Sequence, residues 1–284
     1  ENIDNVIVNL NGGQRKSRLL AYEVSIGGHE IGSSDIRRIL DPTNFGQQEL
    51  ETHELVHRIP IGYGVDGNRG IADPRGMFAD TLSVNLHIVT ALRGQLRNLR
   101  TVVRRCHLGI EEIVVSPYAA ALGCLSKEEK SLGVTCVDMG GGSTSFSVFF
   151  DGELVHTDTL PIGGGHVTKD IARGLVTPYT HAERLKTLYG NAIPSANDDQ
   201  QLIHVPSIGE EESPETNTVP RSVLVGIIRP RIEEIFELVG ERLKEASFAQ
   251  VAGRGLVLTG GASQLPGVRE VADAILDKQS RFGR

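Results

Sequence analysis

Alternating apolar and polar side chains predict a strand-rich first part of the chain. Ile3–Leu10 alternates in this way, which favours a strand with one exposed face. The runs Tyr22–Ile26 and Glu30–Ile31 flank Gly27-Gly28, and a glycine pair between two such runs is typical of a hairpin turn. Two further predicted elements are a helix over Ile36–Leu40, capped by Ser33-Ser34-Asp35, and a strand over Glu54–Tyr63. Residues 1–80 are therefore predicted to form a small α+β unit.

The pattern then changes to strands that alternate with helices. Leu86–Thr90 is a short apolar run typical of a strand, and Gly94–Cys106 has apolar residues at helical spacing with arginines on the other face. Glu112–Val115 is the next predicted strand, and Ser116-Pro117 opens a predicted helix over Tyr118–Leu125. Because strands that alternate with helices usually pair in parallel, this part is predicted to contain parallel pairing.

Three consecutive strands are predicted next, joined by two short turns. The strands are Gly133–Asp138, Thr144–Phe150 and Glu153–Leu160, and the turns are Gly140–Gly142 and Asp151-Gly152. The later predicted elements are helices over His166–Leu175, His181–Tyr189, Ser222–Glu245 (with Pro230 inside it) and Gly267–Leu276, and a strand over Gly255–Thr259. The proline-containing stretch 191–220, with the acidic run Glu210–Glu212, is predicted to be a loop or mobile insert.

Composition and charge exclude several classes of function. The chain has 284 residues, is 39% hydrophobic and carries a net charge of −7, so it can bury a core but has no global basic field to attract nucleic acid. Cys106, Cys124 and Cys136 lie far apart and are expected to be buried thiols in a reducing compartment. No apolar run approaches the roughly 20 residues of a membrane-spanning helix. Because the chain starts at Glu1 rather than methionine, it is expected to be part of a longer protein.

The segment Val137–Thr144, with the sequence VDMGGGST, is the first candidate for chemistry. Asp138 ends a predicted buried strand, and the glycines after it let backbone N–H groups approach an anion because no Cβ is in the way. An aspartate at this place suits Mg²⁺ held through water, because Mg²⁺ keeps much of its hydration shell. An ordinary glycine-rich hairpin has the same pattern. The predicted phosphate-binding residues are Gly140, Gly141, Gly142, Ser143 and Thr144.

Three later motifs would complete a nucleotide site, and each also has a purely structural interpretation. The first places three glycines before a predicted helix, where free N–H groups and the positive helix end favour an anion. The second is an acid–base pair three residues apart on one helix face, which suits either a solvated ion pair or contacts to a ribose. The third is a glycine turn after an apolar strand, where the backbone can approach a ligand. The residues are Gly163, Gly164 and Gly165, then Glu183 and Lys186, then Gly260, Gly261, Ala262 and Gln264.

The order of these motifs resembles the actin-like, sugar-kinase and chaperone ATPase superfamily. VDMGGGST is similar to its second phosphate motif, LVLTGGASQLPG to its adenosine motif, and Glu183 with Lys186 to the pair that holds the ribose in many members. The closer resemblance is to the bacterial cell-division family FtsA. It is carried by DMGGGSTSFSVFFDGELVHTDTLPIGGGHVTKDIARGL, AERLKTLYG, GYGVDG, DPRGM and SPYAAALGCL. It covers essentially the whole chain and is weakest at residues 191–220.

This resemblance implies a fold class and a division into domains. The fold would be α/β, with actin-like ATPase (ribonuclease H-like) domains and an extra small α+β subdomain inserted on the N-terminal side. Residues 1–82 would be the extra subdomain and 83–130 the remaining part of the first actin-like domain. Residues 131–284 would be the second actin-like domain, with a smaller adenosine-side subdomain at about 176–250.

The resemblance also implies a function. The protein would bind ATP and Mg²⁺, with Gly140–Thr144 on the phosphates, Asp138 ordering the metal's waters, and Gly261 and Ala262 near the adenine. It would assemble into filaments on the cytoplasmic face of the inner membrane at the division septum and tether the FtsZ ring there. Its partners would be FtsZ, further copies, other division proteins, and the membrane through a C-terminal helix that this chain lacks; nucleic acid is not implied. The subdomain containing Glu183–Glu245 would meet FtsZ.

Two departures from the family pattern and three alternatives remain. The first phosphate motif is absent from the chain, so that half of the nucleotide site is expected to lie outside it. Ser116 stands before a proline where chaperone-type relatives carry a carboxylate, and serine cannot orient water as a carboxylate does, so weak ATPase activity at most is expected. The alternatives are a pilus-assembly adaptor, a chaperone-type ATPase and a sugar kinase, although no sugar-binding cluster of carboxylates stands out.

Overall fold

The computed structural model describes residues 3–12, 14–41, 52–208, 217–248 and 252–283. The acidic run Glu210–Glu212 lies outside these residues. The elements in chain order are β1 (Asn5–Leu10), β2 (Arg15–Ser25), α1 (Ser33–Ile39), β3 (His53–Val65), β4 (Asn68–Ile71), β5 (Thr81–Leu92), α2 (Arg93–Arg105), β6 (Gly109–Val115), α3 (Ser116–Cys124), α4 (Lys127–Leu132), β7 (Val134–Met139), β8 (Thr144–Phe150), β9 (Glu153–Leu160), α5 (Gly164–Gly174), α6 (Tyr179–Tyr189), β10 (Leu202–Val205), β11 (Asn217–Pro220), α7 (Arg221–Glu245), β12 (Gly255–Thr259), a 3-10 helix (Gly261–Gln264), α8 (Val268–Leu276) and β13 (Gln279–Phe282).

An antiparallel sheet in the order β2-β5-β3-β4 forms the first part, with α1 packed on it. The predicted strand over Glu54–Tyr63 and the predicted helix over Ile36–Leu40 are confirmed as β3 and α1. The predicted hairpin at Gly27-Gly28 is wrong. Ile26 and Gly28 donate to the carbonyls of Asp80 and Ala79, so these distant backbone bonds replace a local return of the chain.

The parallel pairing of the next segment differs from the prediction. β5 is antiparallel to both β2 and β3, and because both of its edges are bonded, it cannot pair with β6. β6 instead pairs in parallel with β1, from Asn5 opposite Gly109 to Leu10 opposite Val115. The predicted boundary at residue 82 stays a prediction. β1 lies before this boundary in the sequence, but it pairs with β6, which lies after the boundary, and not with the antiparallel sheet.

The second half is built on a five-stranded sheet in the order β13-β12-β7-β8-β9. The three predicted strands are confirmed as an antiparallel run, while β12 and β13 add in parallel on the other side of β7. Alternate side chains of the sheet point to opposite faces. Val137 and Phe146 pack with α5, α7 and α8 on one face, and Val134 and Phe149 pack with α3 on the other. The interior strands β7 and β12 are therefore packed against helices on both faces of the sheet.

Several smaller predictions have mixed outcomes. β13 was missed, because its short polar sequence carries no strand pattern. Part of the stretch 191–220 forms the antiparallel pair β10 and β11, and α7 runs continuously through Pro230. Cys136 is buried as expected, whereas Cys106 is exposed because it follows the last turn of α2. Within the described residues, no helix combines the length and the apolar character that a membrane crossing requires.

A buried histidine pair joins the antiparallel sheet to β9. The His87 Nε2 atom lies 2.7 Å from the Ser17 hydroxyl oxygen, which in turn lies 3.4 Å from Nδ1 of His156. The same hydroxyl accepts a hydrogen bond of 3.1 Å from the Thr157 N–H of β9. Burial, assisted by the nearby rings of His156 and His57, lowers the pKa of His87 from 6.5 to about 3. His87 is therefore neutral in the folded protein at neutral pH.

We expect acid to destabilise the fold through His87. In the unfolded chain this imidazole takes up a proton near pH 6.5, whereas in the folded protein it stays neutral until the pH falls to about 3. The stabilisation is complete above pH 6.5 and declines as the pH falls toward 3, so about 2 kcal/mol is lost between pH 7 and pH 5. Urea unfolding at both pH values should show a smaller pH dependence in His87→Asn than in the wild type. An NMR titration that placed the His87 pKa near 6.5 would contradict this expectation.

Candidate functional site

The Gly140–Gly142 turn between β7 and β8 is open toward an anion. Gly140 donates its N–H to the Ser143 carbonyl over 2.9 Å, which closes the turn. The next three N–H groups, those of Gly141, Gly142 and Ser143, donate to no other described residue. A Cβ added at Gly141 or Gly142 would meet open space. Consecutive free N–H groups in a tight turn form a concave anion-binding surface.

The start of α5 is bonded to this turn, which corrects the expectation that its N–H groups are free. Gly164 donates to the Gly140 carbonyl over 2.9 Å, and Gly165 donates to the Gly141 carbonyl over 2.7 Å. The Gly163 N–H donates to Nδ1 of His166 over 3.1 Å. The sequence shows the glycines but not the acceptors that face them. Gly164 and Gly165 therefore hold the turn in place; whether Gly163, Gly164 and Gly165 also contact a ligand stays a prediction.

Close approach explains why glycine is needed at the start of α5. A Cβ at Gly163 would touch the Gly140 carbonyl oxygen and lie 2.8 Å from the Ser143 nitrogen. A Cβ at Gly165 would lie 2.9 Å from the Gly141 carbonyl oxygen. Both separations are shorter than real Cβ contacts, so the helix can approach the turn only without these side chains.

Glu183 and Lys186 form part of a larger hydrogen-bonded network. The Lys186 ammonium donates to Glu183 Oε2 over 2.7 Å, to the Thr168 hydroxyl over 2.9 Å and to the Gly164 carbonyl over 3.2 Å. The Thr168 hydroxyl also donates to Glu183 Oε2. Burial raises the pKa of Glu183, but the hydrogen bonds from Lys186 and Thr168 outweigh it and leave the pKa below its usual value. The Glu183 side chain is therefore a carboxylate at neutral pH, fixed at one oxygen.

One cavity of about 420 Å³ brings most of the predicted site together. Of the predicted residues, those that line it are Gly141, Gly164, Gly165, Glu183, Lys186, Gly261, Ala262 and Gln264. Its remaining walls come from residues that the sequence reasoning missed, namely Val167, Tyr179, Thr187, Ile232, Leu265 and Pro266. Residues four apart share one face of a helix, and this spacing relates Glu183 to Tyr179 and to Thr187 along α6. The helical period alone would therefore predict Tyr179 and Thr187 as site residues beside Glu183.

The other predicted residues lie beside the cavity rather than in its wall. They are Asp138, Gly140, Gly142, Ser143, Thr144, Gly163 and Gly260. Thr144 is fully buried and its hydroxyl has no partner, so it faces the core. Ser143 lies 3.5 Å, oxygen to oxygen, from the Asn11 side chain, which brings the end of β1 close to the turn. Their roles in binding stay predictions.

Asp138 is half-buried at the end of β7. Burial raises the pKa of its carboxyl group. One carboxylate oxygen lies against Gly260, where a Cβ would collide with it. The described residues contain no cluster of three or more histidine, cysteine, aspartate or glutamate side chains able to hold a metal directly. Whether Asp138 holds a metal ion through water stays a prediction.

Comparison with known proteins places the chain in a family. The family model described as "Cell division protein FtsA" matches residues 135–284, just over half of the chain. The chain belongs to the FtsA family. A second model, "SHS2 domain inserted in FTSA", matches residues 12–90 and corresponds to the predicted inserted subdomain. The FtsA-family resemblance seen in the motifs is thereby confirmed.

Curated FtsA proteins from several bacteria align with nearly all of the chain. Cell division protein FtsA of Rhizobium meliloti (strain 1021) is 44% identical over 283 residues, which are 99% of this chain and 64% of that protein. The FtsA protein of Bacillus subtilis (strain 168) is 36% identical over 260 residues, which are 91% of this chain and 58% of that protein. The chain thus spans less than two thirds of the length of these relatives.

Solved structures confirm the actin-like fold. MreB 5 of Spiroplasma citri bound to AMPPNP matches 68% of this chain and 60% of its own, with a TM-score of 0.55 and 19% identity. The PilM-PilN type IV pilus biogenesis complex matches 94% of this chain and 66% of that chain, with a TM-score of 0.61 and 17% identity. At such low identities the likeness concerns the fold alone.

Proposed function

We propose that the cavity beside the Gly140–Gly142 turn binds ATP together with Mg²⁺. The observation that carries this proposal is that Gly141, the middle residue of a turn with three free N–H groups, lines the same cavity as the Glu183 carboxylate. The N–H donors of the turn suit the phosphates of a nucleotide, and the carboxylate acceptor of Glu183 suits its sugar hydroxyls. The AMPPNP bound to MreB 5 supports the proposal by likeness of fold.

The residues present fit a nucleotide in size and chemistry. A volume of about 420 Å³ lies within the usual range of ligand cavities, roughly 300–1,000 Å³. Val167, Ile232 and Leu265 supply apolar wall for a base, and Ala262 and Gln264 follow the glycine turn after β12. The free N–H groups of Gly141, Gly142 and Ser143 would hold the phosphates, and Glu183 would accept from the ribose.

Mg²⁺ would neutralise part of the phosphate charge when bound. Asp138 would hold it through water, since this carboxylate lies one residue before the end of the strand that leads into the phosphate turn. Burial alone disfavours the charged carboxylate, and a nearby cation favours it, so the ion would offset the cost of keeping Asp138 ionised.

Weak ATPase activity at most is expected from the residues around Ser116. This serine is buried, and its hydroxyl oxygen lies 2.8 Å from Asn9 Oδ1 and 3.1 Å from the Leu10 carbonyl oxygen. The hydroxyl therefore connects α3 to β1 and is not available to orient an attacking water. Binding of ATP, rather than its rapid hydrolysis, is the activity we propose.

At the level of the cell, we propose the division role that the family name of the relatives supports. The whole protein would assemble into filaments at the septum and tether the FtsZ ring to the cytoplasmic face of the inner membrane. ATP would favour a closed arrangement of the domains, because a ligand shifts such an equilibrium only by binding one state more tightly. The exposed face of α7 is the surface we propose for FtsZ.

Titration calorimetry of the full-length protein with Mg-ATP tests the nucleotide proposal. We expect the wild type to bind, and Asp138→Ala to lower the affinity for Mg-ATP about tenfold while changing the affinity for ATP in EDTA much less. Asp199→Ala, which removes an exposed carboxylate outside the cavity, is the matched control and should bind as the wild type does. Absence of binding by the wild type, or equal Mg-ATP affinity in Asp138→Ala, would overturn the proposed roles.

A further inference from the structure

Thr168 sits at the centre of the network between α5 and α6. Its side chain is fully buried, although a threonine within a helix usually needs no polar partner beyond its own backbone. Here the hydroxyl lies 3.1 Å from the Gly164 carbonyl oxygen, contacts Glu183 Oε2 and accepts from the Lys186 ammonium over 2.9 Å. One hydroxyl thus connects the helix start beside the phosphate turn with the acid–base pair of α6.

The donors of Lys186 are all occupied within the protein. An ammonium group has three N–H donors, and three acceptors surround it, on Gly164, Thr168 and Glu183. Its side chain is 15% exposed, against 46% for Glu183. Lys186 would have to break an existing bond before it could donate to a ligand.

Glu183 has one oxygen engaged and one oxygen available. Lys186 and Thr168 both donate to Oε2, while Oε1 takes part in no hydrogen bond with another described residue. The available oxygen belongs to a residue that lines the cavity. A carboxylate accepts hydrogen bonds and repels phosphate, so its ligand must carry donors, and two neighbouring sugar hydroxyls are suited to it.

We propose that Thr168 and Lys186 are positioning residues, which fix Oε2 of Glu183 so that Oε1 can accept from the ribose hydroxyls of the nucleotide. This inference rests on the proposed ATP site and adds to it one residue that the motifs did not contain. It also reassigns Lys186, which acts through Glu183 and not by contact with the ligand. Because an ionised acceptor forms a stronger hydrogen bond than a neutral one, its correct orientation should contribute measurably to ribose recognition.

The affinities of the full-length protein for Mg-ATP and for Mg-2′,3′-dideoxy-ATP test this assignment. We expect the wild type to prefer ATP about tenfold, since only ATP offers ribose hydroxyls to Glu183. Thr168→Val, which keeps the shape but removes the hydroxyl, should lose most of this preference and leave the affinity for dideoxy-ATP nearly unchanged. Thr168→Ser, which restores the hydroxyl, should recover the preference.

A double-mutant cycle decides whether Lys186 acts through Glu183, and it does not depend on the folding of Thr168→Val. Lys186→Met alone should lose the preference for ATP, and in a Glu183→Gln background it should cause no further loss. An additional loss in that background would show direct contact and overturn the reassignment.

The remaining outcomes separate this inference from the proposed function. A wild type that binds neither nucleotide would refute the ATP site itself. A wild type that binds both equally, or a Thr168→Val protein that keeps the preference, would refute the positioning role while leaving the ATP site intact.

Discussion

Replacing Gly260 by alanine is expected to lower the free energy of unfolding by about 3 kcal/mol. Gly260 has φ of 84° and ψ of 161°, a backbone conformation that is almost restricted to glycine. A Cβ at this position would lie 2.5 Å from the Met139 carbonyl oxygen and 2.8 Å from its carbonyl carbon, and would collide with the Asp138 carboxylate. Because β7 is bonded on both edges, the backbone of Met139 cannot move aside cheaply.

Gly261→Ala is the matched control for this substitution. The neighbouring glycine has no atom within 4 Å of its ideal Cβ position and no positive φ, so alanine there should change the unfolding free energy by less than about 1 kcal/mol. Urea denaturation followed by circular dichroism measures both variants. Similar stabilities for the two would show that the close approach of Gly260 to Met139 is not what holds this turn.

The contrast between these two glycines shows how much of the site could be predicted from sequence. The motif order identified the turn after β12 and the turn after β7, and the structure confirms both turns. The sequence does not distinguish Gly260, which the fold requires, from Gly261, whose Cβ position is free. That difference depends on Met139, a residue more than a hundred positions away that only the parallel register of β7 and β12 brings near.

Long-range contacts also account for the predictions that were wrong. The alternation of polar and apolar residues identified β1 correctly, but a strand pattern does not name its partner, and β1 pairs with β6 across about a hundred residues. The sequence shows the glycines at the start of α5, but it does not show that the carbonyls of Gly140 and Gly141 accept from Gly164 and Gly165. Thr168 was missed because a single threonine in a helix leaves no periodic signal.

Gly141 is the position where a side chain would fill the cavity without disturbing the fold. No atom lies within 4 Å of its ideal Cβ position, and its φ is not positive, so a larger residue is tolerated by the backbone. The residue lines the cavity, and its N–H is one of the three in the proposed phosphate-binding turn. A branched side chain there would occupy the space of the phosphates and shield the N–H donors.

Gly141→Val is therefore expected to weaken Mg-ATP binding about a hundredfold, which corresponds to about 2.7 kcal/mol. Its unfolding free energy should stay within about 1 kcal/mol of the wild type, because no protein atom lies within 4 Å of the ideal Cβ position. Gly142→Val is the matched comparison, since Gly142 is equally open but does not line the cavity, and it should lose much less affinity. Calorimetry and urea unfolding of the full-length variants measure the two quantities separately. Unchanged Mg-ATP affinity in a folded Gly141→Val protein would show that the phosphates do not bind at this turn. If the affinity falls only as much as the loss of folded protein explains, the turn has a structural role and no role in binding.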